Sequence, residues 1–262
     1  MEYTKEQMED IKRKILQKYR EGRKYTIEDF KMIMKVLRSK EYGCPWDSVQ
    51  THDSIRQCLI EECYETVEAI KDKDDDNLKE ELGDVLMQII MHSEIASEEM
   101  RFDFEDVVHG ISTKMVRRHP NVFVEKDVVD ADTFGMSRWE KIKEQEKQGT
   151  REAEKGKLGR VASSLPALIR AQKVVKKSDE IYKDSASIKE SVEQLKNFVM
   201  LLENCVNNAE KYSNIDKILG ETLLELTNIA YRMEENAENS LTNAVEQFIN
   251  KREGGKKRTS IQ

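Results

Sequence analysis

Apolar residues recur at helical spacing through almost the whole chain. In residues 5–20, Met8, Ile11, Ile15 and Leu16 fall on one side of a helix, and Gly22 ends the segment. Thr26 with an acid three residues on is a capping-box pattern, and the helix it opens carries Ile27, Phe30, Ile33, Met34 and Leu37 on one face. The pattern breaks at Tyr42-Gly43-Cys44-Pro45-Trp46-Asp47. Asp53 or Ser54 then caps a predicted helix over 54–72, with Leu59, Ile60, Cys63, Val67 and Ile70 as its apolar stripe. After the charged turn Lys71 to Asp76 comes a helix over 77–99, with Leu78, Leu82, Val85, Leu86, Ile89, Ile90 and Ile95 on one face. So short a connection makes these two helices antiparallel neighbours. Further helices are predicted over 103–118, stopping before Pro120, and over 133–147, before Gly149. Glu152 to Gly159 is charged and glycine-containing and reads as a linker. Helical spacing returns over 163–180, 186–208, 214–235 and 239–252. No run of alternating β-branched residues predicts a strand, so the fold class is all-α, a helical bundle.

The second half echoes the first. Leu219-Gly220-Glu221 followed by an apolar run repeats Leu82-Gly83-Asp84 followed by Val85-Leu86, and Phe248 to Arg252 faintly repeats Met115 to Arg118. The order of elements repeats as well, which points to tandem helical units. The expected organisation is an N-terminal helical extension (1–25), a first unit (26–149), a linker (150–162), a second unit (163–253) and a basic tail (254–262).

Composition supports helix and narrows the partners. Charged residues make up 36% of the chain, with only 11 Gly and 3 Pro, so strong helix formers dominate and breakers are few. The net charge of −7 gives no global attraction to nucleic acid. No window holds an apolar run of membrane-spanning length, and the N-terminus lacks a secretory core, so neither membrane nor export is expected. Cys44, Cys58, Cys63 and Cys205 fit no zinc spacing or disulfide framework, which fits a reducing cytoplasm.

The candidate chemistry lies on the two antiparallel helices. Glu61, Glu62 and Glu65 sit mid-helix in the first, and Glu81 and Asp84 in the second. Spacings of three and four residues put each set on one side of its helix, at the edge of the apolar stripe. Carboxylates converging across a helix interface repel one another unless a cation joins them. Hard oxygen ligands select Mg²⁺ or Mn²⁺. A cation held in this way suits phosphoanhydride hydrolysis, which needs charge neutralisation, a polarised water and a base. Gly83, in a helix interior between Glu81 and Asp84, suggests close approach by a neighbouring helix or a ligand. The bland reading is a solvated charged face, which such a composition also produces by chance.

A set of ordered motifs decides between the two. Leu37-Arg38 with Gly43-Cys44-Pro45-Trp46-Asp47 precedes Glu61-Glu62-x-x-Glu65 and Glu81-Leu-Gly-Asp84. These are followed by Arg101-Phe-Asp-Phe104, Arg117-Arg-His-Pro-Asn-Val-Phe123 and Arg138-Trp-Glu-Lys-Ile-Lys143. Residues 37–146 thereby resemble the MazG family of all-α nucleoside triphosphate pyrophosphohydrolases. Ser164 to Lys173 resembles the start of the second unit in two-unit members. The resemblance implies Glu62, Glu65, Glu81 and Asp84 as metal ligands, with Glu61 binding metal or orienting the attacking water. It implies hydrolysis of nucleoside triphosphates between the α- and β-phosphates, with pyrophosphate leaving. It also implies that Arg117, Arg118 and Lys143 neutralise the phosphates, assisted by Lys114, that Trp139 stacks on the base, and that the chain forms a homodimer or higher assembly.

The second unit departs from this pattern. Glu193-Gln194-Leu-Lys196-Asn197 and Ile218-Leu-Gly-Glu221 stand where the carboxylates are needed, so this half is expected to be a structural, dimer-forming or regulatory unit. Two other classes were weighed. A non-catalytic helical module that binds nucleotide or protein would bind without forming product. A di-iron bundle needs Glu-x-x-His, and His92 and His109 follow Ile89 and Asp106 instead.

Overall fold

A computed structural model describes residues 4–123, 146, 156, 158–183, 186–207 and 214–253. Among the described residues every regular element is helical. The chain divides into two compact units, Met1–Trp139 and Glu140–Gln262.

In the first unit α1 (Lys5–Arg20) starts at a Thr4–Gln7 capping box and α2 (Ile27–Arg38) at a Thr26–Asp29 capping box. The two helices pack together. Lys18 reaches Asp29 at 2.5 Å, and the Tyr25 hydroxyl donates to the Ile15 carbonyl. Asp29 also accepts from Thr26, and these contacts hold its carboxyl down at about 2.

The loop after α2 is closed by Gly43. A Cβ there would sit 2.3–2.5 Å from the carbonyl oxygens of Val36, Leu37 and Ser39, so only glycine fits. Arg38, the last residue of α2, is buried and pins the loop to the end of the fourth helix. Its guanidinium forms a fork of two 2.7 Å bonds with Glu98 and donates to the carbonyls of Asp47 and Gln50.

The central pair is α3 (Arg56–Asp72) and α4 (Asp75–Glu98). Lys73, left-handed at φ 58, and Asp74, which caps α4, turn the chain between them. The helix α3 starts without a side-chain cap, after Ile55 rather than at Asp53 or Ser54. Then α5 (Phe104–Arg118) opens on an Asp103–Asp106 capping box and packs on α4, and a single turn, α6 (Pro120–Phe123), follows. Met34, Ile55, Ile90, Met91 and Ile95 form the core, with Phe30, Leu37, Leu86, Met87 and Phe104 packed on it.

One helix face differs from the periodicity reading. Ile60, Val67 and Ile70 of α3 are exposed, and Cys63 is too. The side of α3 with the buried or half-buried residues runs instead through Ile55, Leu59, Glu62, Thr66 and Ala69. Glu62 therefore lies in the α3–α4 seam rather than beside an apolar stripe.

The second unit contains α7 (Ala167–Tyr182), α8 (Ile188–Asn207), α9 (Ile215–Arg232) and α10 (Ala237–Arg252). Here α9 packs on α7, α8 and α10, and the Gln172 amide of α7 ties the turn before α10 through Glu235 and Ala237. The predicted helix over 133–147, most of the 150–162 linker and the 254–262 tail lie outside the described residues.

Counted back from their C-terminal ends, α9 and α4 carry matching features. Ser93 and Thr227 are both buried, and each hydroxyl donates to the carbonyl four residues back at 2.8 Å. Glu98 and Arg232 close their helices in ion pairs of opposite polarity, Glu98 with Arg38 and Arg232 with Asp179. Met100 and Glu234 then take the same left-handed turn, at φ 55 and 61. In this register Ile215 and Ile218 replace Glu81 and Asp84. The sequence echo, which sets Ile218 and Glu221 there, differs from this register by three residues.

Candidate metal centre

The α3–α4 seam brings carboxylates together. One oxygen each of Glu62, Glu81 and Asp84 lies within 4.8 Å of the others, and all three residues are half-buried. Glu65, exposed one turn along α3, lies close enough for its charge to act on both Glu62 and Glu81. Partial burial first, then the charges of Asp84, Glu65 and Glu81, pushes the Glu62 carboxyl above its ordinary range. Glu81 is raised for the same reasons: burial first, then Glu65, Asp84 and Glu80. The charges acting on both are all carboxylates. Such a cluster gains by binding a cation.

Helix geometry produces the cluster. In α3 the residue one turn from Glu62 on the seam side is Thr66, whose hydroxyl bonds back to the Glu62 carbonyl at 2.8 Å and leaves the Glu62 side chain free for α4. In α4, Glu81 and Asp84 are three residues apart and point to the same neighbour. Gly83 does not serve helix packing, because a Cβ there would meet nothing within 4 Å. The open space beside it leaves the ligand as the remaining part of that expectation.

Of the sequence-derived residues, Glu62, Glu81 and Asp84 form the trio and Glu65 adjoins it. Glu61 is exposed and outside the trio. Lys114, Arg117 and Arg118 lie on the last turns of α5, with Lys114 and Arg118 half-buried. Trp139 and Lys143 lie outside the described residues.

Two polar residues near the centre have no site role in the sequence reading, where His92 enters only as a mismatch to the di-iron pattern. Gln88, one turn beyond Asp84 on α4, is buried. His92, one turn further, stacks on His52 from the loop before α3, with their Nδ1 atoms 2.8 Å apart. Arg101 lies 2.5 Å from His52 Nε2. Arginine only donates, so His52 Nε2 accepts; neutral His52 then donates from Nδ1 to Nδ1 of His92. Burial and the neighbouring His52 hold the His92 imidazole below its ordinary value. A signal existed for both residues: Gln88 and His92 interrupt an otherwise apolar helix at four-residue steps from Asp84.

The donor set is all carboxylate oxygen, which suits a hard divalent cation such as Mg²⁺ or Mn²⁺ and no thiolate- or imidazole-preferring metal.

Comparison with known proteins places the site in a family. The MazG nucleotide pyrophosphohydrolase domain matches residues 50–123, the span that holds all five acids. A Thermotoga maritima protein named nucleoside triphosphate pyrophosphohydrolase/pyrophosphatase MazG is 35% identical over 225 residues, covering 85% of this chain and 82% of its own. The nucleoside triphosphate pyrophosphohydrolase of Escherichia coli K12 is 35% identical over 217 residues, covering 82% of this chain and 81% of its own. The Bacillus subtilis protein YabN, itself uncharacterised, is 45% identical over 152 residues, 58% of this chain and 30% of its own. With two such relatives matching along most of both lengths, the chain belongs to the MazG family of nucleotide pyrophosphohydrolases.

Proposed function

We propose that this chain hydrolyses nucleoside triphosphates, ribo- or deoxyribo-, to the monophosphate and pyrophosphate, with Mg²⁺ (or Mn²⁺) held by Glu62, Glu65, Glu81 and Asp84 of the first unit. The single observation that carries the reading is the convergence of three carboxylate oxygens within 4.8 Å, unbalanced by any cation among the charges that shift Glu62 and Glu81. The names of the two relatives supply the reaction class.

When bound, the cation neutralises the phosphate oxygens and polarises water. The chain's own residues do the rest. Water oxygen attacks the α-phosphorus, the bond to the bridging oxygen breaks, and pyrophosphate leaves with that oxygen. The water's proton passes to a carboxylate, and Glu61, next to the trio on α3, is the group assigned to orient that water. Lys114, Arg117 and Arg118 from the last turns of α5 meet the triphosphate charge, together with Lys143, and Trp139 stacks on the base.

In the register counted from the helix C-termini, Ile215 and Ile218 fall at the positions of Glu81 and Asp84. Catalysis is accordingly assigned to the first unit. On α3, Ile60, Tyr64 and Val67 form an exposed apolar stripe, which supports a homodimer or higher assembly. No described helix is long and apolar enough to cross a membrane.

The test is product identification over a panel of nucleoside triphosphates with Mg²⁺ in heavy-oxygen water. Pyrophosphate and labelled nucleoside monophosphate are expected. Folded protein that releases neither from any substrate refutes the proposal.

A further inference from the structure

Gln88 is 6% exposed, and its Oε1 is buried without a hydrogen-bond partner. Two other buried side-chain atoms among the described residues share that condition, Asn228 Oδ1 and Arg232 Nε. Both belong to groups that are otherwise engaged: Asn228 Nδ2 donates to Ser191 and Glu225, and Arg232 pairs with Asp179. The Gln88 amide alone of the three has no partner at either end among the described residues.

A buried amide left unpaired is costly, and natural proteins rarely keep one without a use. Its position suggests the use. Gln88 follows Asp84 by four residues and Glu81 by seven, so it continues the carboxylate stripe of α4 by one turn. The next step on the stripe, His92, is already occupied by His52. Ile55, just before α3, and Met91 of α4 belong to the apolar core of the same unit.

The second unit provides an internal control. Thr222 holds the position of Gln88, and its hydroxyl donates to the carbonyl of Ile218 at 2.7 Å, within its own helix. Where isoleucines replace the acids, no unmet polar group lies at that position. The two features disappear together, as expected if the amide serves the site rather than the bundle.

An unmet acceptor beside a cluster of acceptors needs a donor from the ligand. Hard divalent cations bound through few carboxylates keep several waters, and those waters donate strongly. We propose that Gln88 is a positioning residue: its Oε1 accepts a hydrogen bond from a water carried by the cation that the Glu62, Glu81 and Asp84 cluster holds. The inference rests on the metal-centre reading above. Partners of this outer kind commonly change metal affinity or activity by roughly 10–100-fold when removed.

Q88M keeps the side chain's length and removes the amide, and Q88E keeps an acceptor at the same reach. Three quantities are measured for each: the melting temperature of metal-free protein, Mn²⁺ affinity by calorimetry, and pyrophosphate release at saturating nucleotide. Q88M is expected to melt no lower than the parent, because it breaks no hydrogen bond. It should bind Mn²⁺ at least about tenfold more weakly and turn over about tenfold more slowly, and Q88E should recover most of the affinity. Unchanged Mn²⁺ affinity and turnover in Q88M would overturn the inference. So would a lower metal-free melting temperature with unchanged affinity, which would make Gln88 a structural residue. Glu62→Gln is run alongside. A parent that neither binds Mn²⁺ nor releases pyrophosphate sinks the metal-centre reading itself. A parent that does both, with only Glu62→Gln impaired, leaves that reading standing and sinks the Gln88 inference alone.

Discussion

The α3–α4 pair of the first unit and the α8–α9 pair of the second use the same scaffold for different ends. Both second helices end on an ion pair, carry a back-bonded hydroxyl five residues before it, and turn left-handed two residues after it. They diverge over roughly the three turns before that hydroxyl. There the first unit has Glu81, Asp84, Gln88 and His92, and the second has Ile215, Ile218, Thr222 and Leu226. Frame residues are shared, and the acids, amide and histidine of α4 have no like residue at those positions of α9, where Asn228 Oδ1 is the unmet buried acceptor instead. Clustered carboxylates, an unpaired amide and a half-buried histidine held below its ordinary titration all oppose folding, so their presence on one seam marks where ligand binding offsets the cost.

The largest effect expected from breaking this comparison is at the carboxylates. Glu81→Gln should lower pyrophosphate release by about a thousandfold, since charge stabilisation by a bound metal is worth several kcal/mol. Glu221→Ala, outside the ligand register of α9, should stay within about twofold of the parent, inside the ±0.5 kcal/mol of a neutral surface change. Steady-state rates of the two variants decide it; equal losses would erase the distinction between units.

The frame comes next. Arg38→Ala removes a buried guanidinium that joins α2, the 47–50 loop and Glu98, and should cost about 3 kcal/mol by denaturant unfolding. Arg232→Ala removes only the Asp179 pair and should cost less. A reversal of that order would show that the second unit depends more on its ion pair than the first.

Glycines sharpen the contrast at about 1 kcal/mol. Gly83 and Gly220 both lie inside helices, and a Cβ at either meets nothing within 4 Å. Each should therefore stabilise the protein by roughly 1 kcal/mol when changed to alanine. Only Gly83→Ala should also slow turnover, because a ligand at the centre approaches that backbone. Full activity in Gly83→Ala would leave the glycine without a role.

The smallest effect concerns acid. The His92 imidazole is held below its unfolded value, so the unfolded chain binds the extra proton more readily. That contribution to stability is intact at neutral pH and declines as pH falls below about 6.5, the ordinary histidine value. The parent should lose more stability than His92→Leu between neutral pH and mild acid, measured by denaturant unfolding at each pH. Parallel pH profiles would remove the histidine pair from the account.

Much of this was legible in the chain. The Thr26 cap, the short antiparallel connection and the five acids follow from local chemistry, and the structure starts α2 at Thr26 and turns α3 into α4 over residues 73 and 74. The inward face of α3 was not legible. Ile60, Tyr64, Val67 and Ile70 are exposed, while Glu62 and Thr66 share the seam with Leu59 and Ala69. Periodicity ranks a helix's faces by hydrophobicity, and a functional seam inverts that ranking. Gly83 was legible only in part: no neighbouring helix approaches it, which leaves the ligand half of the expectation to the Gly83→Ala test. The register of the second unit differs by three residues between the two readings, because the Leu-Gly pair recurs in both units at different heights from the helix end. Only the back-bonded hydroxyls and the ion pairs fix the height.

The account's central claim is that the seam carboxylates hold a divalent cation for triphosphate hydrolysis. Pyrophosphate release from a nucleoside triphosphate, followed against Mg²⁺ concentration for the parent and for Glu62→Gln, tests it most directly. The account expects saturable Mg²⁺ dependence in the parent, no activity with chelator, and a rate at or near background in Glu62→Gln at every Mg²⁺ concentration. Parent-like turnover in Glu62→Gln, or release that persists in chelator, would contradict it.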